Sequence, residues 1–190
     1  MILYINACVR EDSRTEKLAK ELLSHMNGEV QEVKLSEVEF AVTDAAYLAH
    51  RDQLIAEEKY DDPMFGLARQ FAAAEEIVIA APYWDLSFPA SLKQYIEKIN
   101  VSGITFRYTP EGYPEGLCSA KKLWYVQTAG GSFLPQEYGY GYICTLAKNF
   151  YGIPECALIT ASGFDVDGAD EEALLTEGME KIREMWGQHD

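Results

Sequence analysis

The chain has 190 residues, of which 48% are hydrophobic and 25% charged, a composition typical of a globular protein and not of a disordered or fibrous one. Its 16 basic and 31 acidic residues give a formal net charge of −15, which argues against binding to nucleic acid or to an anionic membrane surface. Any phosphate ligand therefore needs positive charge that is supplied locally, so clusters of arginine become informative.

Short apolar runs alternate with helical patterns along the whole chain, which predicts a parallel sheet covered by helices. The predicted strands are residues 2–7, 29–35, 76–81, 123–128 and 157–161. The third and fifth strands are almost continuously apolar, as strands buried on both faces are. Apolar residues at helical spacing predict helices between and after the strands: Leu18, Leu22, Leu23 and Met26, then Leu92, Tyr95, Ile96 and Ile99, then Leu175, Met179, Ile182 and Trp186.

An acidic, helix-prone segment, residues 44–60, is interpreted as an insertion after the second strand, and residues 63–74 are predicted to form the next helix. No internal repeat or linker divides the chain, so residues 1–190 are predicted to form one domain. Strands joined by crossover helices favour an α/β sandwich with the strand order 2-1-3-4-5. In this topology ligands bind beyond the carboxyl ends of the strands, at the point where the order reverses.

The cysteines and histidines predict no metal site. The four cysteines are widely separated without a Cys-x-x-Cys pair, and the three histidines lie far from them in sequence. The chain begins directly with an apolar run at Ile2, and no stretch approaches the roughly 18 apolar residues that a membrane-spanning helix needs. We therefore expect a cytoplasmic protein with free thiols and no contact with a membrane.

The loop after the first strand carries candidate phosphate-binding residues. Ser13 and Glu16 have the Ser-x-x-Glu spacing of a capping box, which predicts that a helix begins here. The free N–H groups of a helix N-terminus attract anions, and Arg10, Arg14 and Thr15 would add charge and a hydroxyl donor. The pattern gives Ser13 a structural role as the helix cap, and phosphate binding would add to that role. The loop lacks both Gly-x-Gly-x-x-Gly and Gly-Lys-Ser/Thr, so the motifs of dinucleotide folds and NTPases are absent.

A rigid aromatic segment follows the third strand. Residues 81–89 read Ala-Pro-Tyr-Trp-Asp-Leu-Ser-Phe-Pro, and Pro82 and Pro89 favour an extended connection. Tyr83 and Trp84 either pack in the core or line a planar aromatic ligand at the switch point of the sheet.

A glycine pair follows the fourth strand. Gly130 and Gly131 permit positive φ and close approach to a ligand, although Gly-Gly is also an ordinary turn signal. Residues 138–142, Tyr-Gly-Tyr-Gly-Tyr, either form an aromatic rim or lead into a helix that ends near Phe150. The three candidate loops follow strands one, three and four, whose carboxyl ends meet at one crevice in this topology.

Residues 103–117 carry a specific resemblance. The segment Gly-Ile-Thr-Phe-Arg-Tyr-Thr-Pro-Glu-Gly followed by Pro-Glu-Gly-Leu resembles the characteristic segment of the FMN-dependent NADH-azoreductase and quinone reductase family, with one extra residue at Tyr113. The three loops are similar to the family's Ser-x-Ser-type phosphate loop, its Ala-Pro-Met-Tyr-Asn-Phe flavin loop and its Ser-Arg-Gly-Gly turn. The similarity covers nearly the whole chain and implies a flavodoxin-like three-layer sandwich, with a five-stranded parallel sheet and helices on both faces.

The resemblance implies FMN as the cofactor. Ser13, Arg14 and Thr15 would hold the FMN phosphate, and Arg10 is added to them on charge alone. Tyr108 matches a tyrosine that borders the substrate pocket in the family. The flavin ring would contact the second and third loops through these residues: Pro82, Tyr83, Trp84, Asp85, Leu86, Thr128, Ala129, Gly130 and Gly131.

Two positions depart from the family's pattern. Asp85 stands where the family has asparagine, and Ala129 stands where its fourth-strand turn has arginine. An ionised Asp85 that faces the ring would disfavour the anionic reduced flavin and lower its potential, whereas an Asp85 that points away would contribute only its amide.

The same resemblance implies a ping-pong reaction with two-electron hydride transfer. FMN N5 would accept hydride from NADH or NADPH, so no side chain is predicted as a catalytic residue. A quinone or an azo compound would then take the electrons, and the family forms homodimers. Two other classes remain open, namely a flavodoxin-like single-electron carrier and an NAD(P)H:flavin reductase with dissociable FMN.

Overall fold

The computed structural model describes residues 1–187. Its strands are β1 (Ile2–Asn6), β2 (Val30–Lys34), β3 (Glu76–Ala80), β4 (Phe106–Tyr108), β5 (Pro114–Gly116), β6 (Lys122–Ala129) and β7 (Glu155–Ser162). Its α-helices are α1 (Arg14–His25), α2 (Ala45–Ala56), α3 (Gly66–Ala73), α4 (Ala90–Ile99), α5 (Tyr140–Leu146) and α6 (Glu171–Gly187). Short 3-10 turns cover Leu35–Glu37 and Pro63–Phe65, and a π-helical turn covers Ala147–Tyr151.

The main sheet has five parallel strands in the order β2-β1-β3-β6-β7. Because β6 and β7 are the fourth and fifth predicted strands, the predicted order 2-1-3-4-5 is confirmed. The predicted strands coincide with the observed ones apart from residues at their ends. Ile2 pairs with Val30 on one side and with Glu76 on the other, so β1 lies inside the sheet and the reversal of order falls between β1 and β3.

Apolar residues of β1 alternate between two cores. Leu3 and Ile5 pack into the core covered by α3, α4 and α5, whereas Ile2 and Tyr4 pack into the core covered by α1 and α6. Leu18 in α1 is fully buried in the second core, and burying such a side chain stabilises the fold by about 1.5–3 kcal/mol. The predicted arrangement of helices on both faces of the sheet is confirmed.

The burial of the predicted strands differs between the centre and the edge of the sheet. In β3, which is central, every residue from Ile77 to Ala80 is buried, as predicted. The same prediction for the fifth strand is wrong, because Ile159 is the only buried residue of β7. As an edge strand, β7 has a single neighbouring strand, so its apolar sequence overstates its burial.

The segment after β2 also forms as predicted. Asp44 caps α2 by accepting a hydrogen bond from the N–H of Tyr47 at 2.8 Å. The predicted helix at 63–74 begins as a 3-10 turn at Pro63, where Asp62 accepts from the N–H of Met64 at 2.8 Å, and continues as α3. Within residues 1–187, no helix is both long and apolar enough to cross a membrane.

A small antiparallel hairpin, β4 and β5, stands apart from the main sheet and was not predicted. Phe106 pairs with Gly116 in it, and Tyr108 meets the ring of Phe106 edge-on with 5.4 Å between the ring centroids. This hairpin contains most of the family segment found in the sequence.

An ion pair between the half-buried Glu21 and Arg183 links α1 to α6 and makes the stability of the fold depend on pH. Glu21 Oε1 lies 2.7 Å from Arg183 Nε and 3.1 Å from His25 Nε2. The hydrogen bond from Arg183 and that from His25 hold the pKa of Glu21 below its ordinary value. We expect Glu21→Gln to lower the free energy of unfolding at pH 7 by up to about 1 kcal/mol, as measured by urea denaturation.

The sign of this pH dependence follows from the lowered pKa. The stabilisation is complete above about pH 4.3, where the unfolded glutamate is ionised, and it is lost as the pH falls through the folded-state pKa. The difference between Glu21→Gln and wild type should therefore disappear in strong acid. Glu177→Gln is the control, because its pair with Lys181 is exposed on both sides, and a matching loss in that variant would contradict the assignment.

Candidate active site

A cavity of about 270 Å³ lies at the carboxyl edge of the sheet. Four loops enclose it, those that follow β1, β3, β6 and β7. Its lining includes most of the predicted site residues: Arg10, Ser13, Arg14, Thr15, Pro82, Tyr83, Trp84, Thr128, Ala129 and Gly130. The three loops singled out in the sequence therefore converge, as the strand order requires.

The first loop runs from β1 into the N-terminus of α1. Its start is fixed to β3, since the N–H of Ala7 donates to the carbonyl of Ala80 at 2.9 Å. Its end is fixed by Ser13, whose Oγ accepts from the N–H of Glu16 at 3.3 Å, as the capping pattern predicts. The Glu16 carboxylate pairs with Lys20 at 2.7 Å, so among the described residues only the serine half of the capping box forms. The other first-turn N–H groups lack partners within the helix, and this end of the cavity attracts an anion.

Arg14 is held between two carboxylates beside this helix end. Its Nη1 lies 3.5 Å from Asp165 Oδ1, and its Nε lies 3.5 Å from Glu171 Oε2. The guanidinium also stacks on Phe164, with 4.7 Å between its central carbon and the ring centroid. These contacts orient Arg14 along the cavity wall and offset part of its charge.

Arg10 differs from Arg14 in that its charge is not paired with a carboxylate of the described residues. It is exposed, lines the cavity, and makes no hydrogen bond or ion pair with any residue in the described part of the chain. The nearby Asp12 also lines the cavity, but it pairs with Lys17 at 2.5 Å. Arg10 is therefore the cation whose charge is most available to a phosphate.

The second loop ends in a tight turn. The N–H of Trp84 donates to the carbonyl of Ser87 at 3.2 Å, and the N–H of Ser87 donates back at 2.7 Å. Asp85 and Leu86 between them have φ angles of 51° and 65°, as in a type I′ turn. Aspartate tolerates this left-handed conformation, but leucine at the position that favours glycine is strained. The Asp85 side chain is exposed, outside the cavity lining.

The third loop is tied to its neighbours at several points. The N–H of Tyr83 donates to the carbonyl of Thr128 at 3.0 Å, and the buried hydroxyls of Thr15 and Thr128 lie 2.7 Å apart. The N–H of Asp165 donates to the carbonyl of Gly130 at 2.9 Å. A Cβ at position 130 would lie 1.8 Å from Asp165 Oδ2, so glycine is needed here for Asp165 to pack against the third loop.

Some predicted residues lie outside the cavity lining. Leu86 is at the tip of the turn with 44% of its surface exposed, and Gly131 is exposed in the loop after β6. Tyr108 is 57% exposed on the hairpin. Of the two alternatives for residues 138–142, the structure shows the segment that leads into a helix, because Tyr140 and Tyr142 belong to α5 and Tyr138 is exposed in the preceding loop.

Three lining residues were missed by the sequence reasoning: Val9, Asp12 and Asp165. Asp165 follows β7, so the rule that pointed to the other loops would have found it if applied to the fifth strand. The signal for Val9 and Asp12 is weaker, because only their position on the loop of the predicted phosphate-binding residues points to them.

Cys8 packs beside the first loop and has no sign of reactivity. The residue is buried, and this burial raises the pKa of its thiol to about 11. Across residues 1–187, no three His, Cys, Asp or Glu side chains come together in a metal-binding arrangement. The site thus offers amides, hydroxyls, arginines and rings, which suit a planar phosphorylated ligand.

An open α/β sandwich with a ligand crevice at the switch point of its parallel strands defines the flavodoxin-like class. The sequence model of the flavodoxin-like fold family matches residues 1–185. The chain belongs to this family, and the resemblance inferred from its loops is confirmed.

Named relatives are similar over almost the whole chain. An FMN-dependent NADH:quinone oxidoreductase of Clostridium perfringens is 35% identical over 189 residues, which covers 95% of this chain and 94% of the relative. FMN-dependent NADH:quinone oxidoreductase 2 of Clostridium acetobutylicum is 34% identical over 195 residues, with 97% and 96% covered.

Solved structures show the same fold. An azoreductase from Bacillus anthracis has a TM-score of 0.82 at 26% identity, with 98% of each chain covered. An FMN-dependent NADH-azoreductase from the same species, solved in complex with FMN, has a TM-score of 0.79 at 24% identity, with 98% of this chain and 97% of the other covered.

Proposed function

We propose that this chain binds FMN and uses it to pass two electrons from NADH or NADPH to quinones, to azo compounds, or to both. The relatives named above are FMN-dependent NADH:quinone oxidoreductases, and a structural neighbour is an azoreductase. The observation that carries the proposal is the convergence of three loops on one cavity, with a helix N-terminus and arginines in one wall and an aromatic turn in another.

The cavity residues fit FMN on chemical grounds. The free first-turn amides of α1 with Ser13, Thr15, Arg10 and Arg14 would hold the phosphate. Gly130 lets the Asp165 carboxylate lie directly against the backbone of this wall, a position that a residue with a Cβ would block. The flavin ring would lie against the lining residues Pro82, Tyr83, Trp84, Thr128, Ala129 and Gly130, and would extend past the cavity to Asp85, Leu86 and Gly131.

When bound, FMN supplies the two-electron hydride chemistry, so the chain needs no nucleophile or general base of its own. The protein's part is to bind, to orient and to exclude water. The amides of the turn at 84–87 and of the Gly130–Gly131 turn would stabilise negative charge that develops on the bound ring. Tyr83 and Trp84 would shield the ring from water.

Assembly and location belong to the same proposal. We infer a homodimer in which Tyr108 and the segment 44–60 border the substrate site. The four cysteines are free, which suits the reducing conditions of the cytoplasm, and we place the protein there. The whole chain, residues 1–190, is proposed to act as one FMN-binding domain.

Purification tests the proposal directly. We expect a yellow protein that keeps FMN through gel filtration and oxidises NADH or NADPH with menadione or methyl red as the acceptor. Tight retention of FMN would exclude a flavin reductase that releases its flavin. FMN binding without any NAD(P)H oxidation would instead indicate a single-electron carrier and would contradict the proposal.

Asp165→Asn is expected to tighten FMN binding. The substitution removes a carboxylate that pairs with Arg14 and would repel the phosphate, while it keeps the shape of the wall beside Gly130. Because the Asp165 side chain is 71% exposed, the gain is at most about 1 kcal/mol, or up to fivefold in the dissociation constant. Fluorescence titration of apoprotein with FMN measures it.

Asp167→Asn is the matched control, since it removes the same charge from the same exposed loop without a contact to Arg14. Equal tightening in both variants would mean that net charge alone is responsible. Weaker binding in Asp165→Asn would mean that the carboxylate positions Arg14 productively.

A further inference from the structure

We propose that Tyr83 and Ser87 are positioning residues that fasten the loop at 131–139 to the turn at 84–87 beside the site, and that this loop favours acceptors with two aromatic rings over single-ring acceptors. The inference rests on the proposed oxidoreductase function. It assigns a role to two hydroxyls that hold no part of the phosphate and take no part in electron transfer.

Two hydrogen bonds join the turn to the loop. The Tyr83 hydroxyl donates to the carbonyl of Pro135 at 2.9 Å, and the Ser87 hydroxyl donates to the carbonyl of Tyr138 at 2.7 Å. The donor residues lie before and after residues 84–86, and the acceptor carbonyls lie in the middle of the loop and near its end. We call this pair of bonds the clamp.

A hydrogen bond from β6 also holds the clamped loop at Gln136. Gln127 is completely buried, and its Nε2 donates to Gln136 Oε1 at 3.0 Å. Gln136 in turn donates to the carbonyl of Leu134 at 2.9 Å and accepts from the N–H of Gly141 at 2.7 Å. Gln127 therefore attaches the loop to the sheet, and among residues 1–187 the two bonds of the clamp are the only side-chain hydrogen bonds between the loop and the turn.

The turn itself needs support from outside. The positive φ of Leu86 is strained, and such strain persists only where surrounding contacts hold it. The turn and the loop are neighbours here, since a Cβ on Gly139 would lie in ordinary contact with the Cα of Ser87, at 3.9 Å. The clamp thus holds the loop and the turn as one unit.

The clamped loop presents apolar rings to solvent. Phe133 is 78% exposed and Tyr138 is 65% exposed on the loop, and Leu86 is 44% exposed on the turn to which the clamp joins it. Exposed apolar groups that are grouped together mark a binding surface. A planar acceptor with two aromatic rings would bury these side chains, whereas a single-ring acceptor would reach past them.

The test uses the holoprotein with Tyr83→Phe and Ser87→Ala combined, together with Ser87→Ala alone. The matched control combines Tyr151→Phe and Ser24→Ala. Tyr151 donates to Asn100 Oδ1 at 2.7 Å, and Ser24 donates to the carbonyl of Glu21 at 2.7 Å, so the same groups are lost away from the loop.

The first readout is hydrogen exchange of the amides at 133–139. We expect exchange at least tenfold faster in the clamp variant and a smaller acceleration in Ser87→Ala alone, which removes one bond with little risk to folding. Exchange equal to that of the control variant would overturn the clamp.

The second readout is the ratio of kcat/KM for methyl red to kcat/KM for 1,4-benzoquinone with NADH as the donor. We expect the ratio to fall at least fivefold in the clamp variant and to stay within twofold in the control. Faster exchange with an unchanged ratio would overturn the role in selection. A wild-type protein that reduces neither acceptor would overturn the proposed function and the selection with it, while the exchange data would still decide on the clamp.

Discussion

Replacing Arg10 and Arg14 together with glutamine is expected to release FMN from the protein. A hydrogen bond between a charged group and a phosphate contributes about 1.5–3 kcal/mol, so loss of both arginines should weaken FMN binding about 100-fold or more. The chain has a net charge of −15, so little positive potential would remain to replace them. Titration of the apoprotein with FMN measures the change.

The two single variants should weaken FMN binding by different amounts. Arg10 has no partner within residues 1–187, whereas Arg14 is already paired with Asp165 and Glu171, so Arg10→Gln should weaken binding more than Arg14→Gln does. Lys20→Gln is the control, since it removes an equal charge that is committed to Glu16 one turn further along α1. Unchanged FMN affinity in the double variant would show that the phosphate lies elsewhere.

Gly116→Ala is expected to destabilise the fold by about 2–3 kcal/mol, as overpacking of tightly packed sites does. A Cβ on Gly116 would lie 2.1 Å from the backbone nitrogen of Gly152 and 2.1 Å from the carbonyl carbon of Tyr151. Both are main-chain atoms, which yield less easily than the end of a flexible side chain. The hairpin of β4 and β5 would have to move away from the π-helical turn, and thermal or urea denaturation measures the cost.

Gly66→Ala serves as the control for this substitution. Nothing lies within 4 Å of a Cβ at Gly66, and its φ of −54° suits alanine. This variant should be neutral or slightly more stable, by up to about 1 kcal/mol. If Gly116→Ala unfolded at the same urea concentration as Gly66→Ala, the close contact between the hairpin and the turn would be refuted.

The sheet was predictable because its strands obey simple rules. Residues 77–81 form a continuous apolar run, and such a run between helical patterns indicates a central parallel strand. The strand order then places the loops after strands one, three and four at one edge, and this part of the candidate site follows from topology alone. The edge strand β7 shows the limit, since an apolar sequence does not reveal how many neighbours a strand has.

The hairpin was not predictable from its sequence pattern. Its strands have three residues each, and one begins with Pro114 and ends with Gly116, so neither alternation nor β-propensity marks them. The hairpin packs at Gly116 directly against the backbone at Gly152. Such a contact depends on the tertiary structure, and in the sequence only a glycine indicates it.

The contacts that shape the site also escape the sequence. Arg14 meets Asp165 across 151 positions, and Tyr83 meets the carbonyl of Pro135 across 52. These pairs depend on the conformations of two loops at once, and no local spacing records them. In the sequence Arg14 looks equivalent to Arg10, but in the structure Asp165 and Glu171 partly neutralise its charge.

The reduction of bound FMN by NADH tests the central claim most directly. The purified holoprotein would be mixed with NADH without oxygen in a stopped-flow instrument while the absorbance of oxidised flavin is followed. The account predicts rapid bleaching to the two-electron reduced form, and reoxidation when menadione is added afterwards. Failure of both NADH and NADPH to bleach the flavin, or arrest at a stable one-electron form, would contradict it.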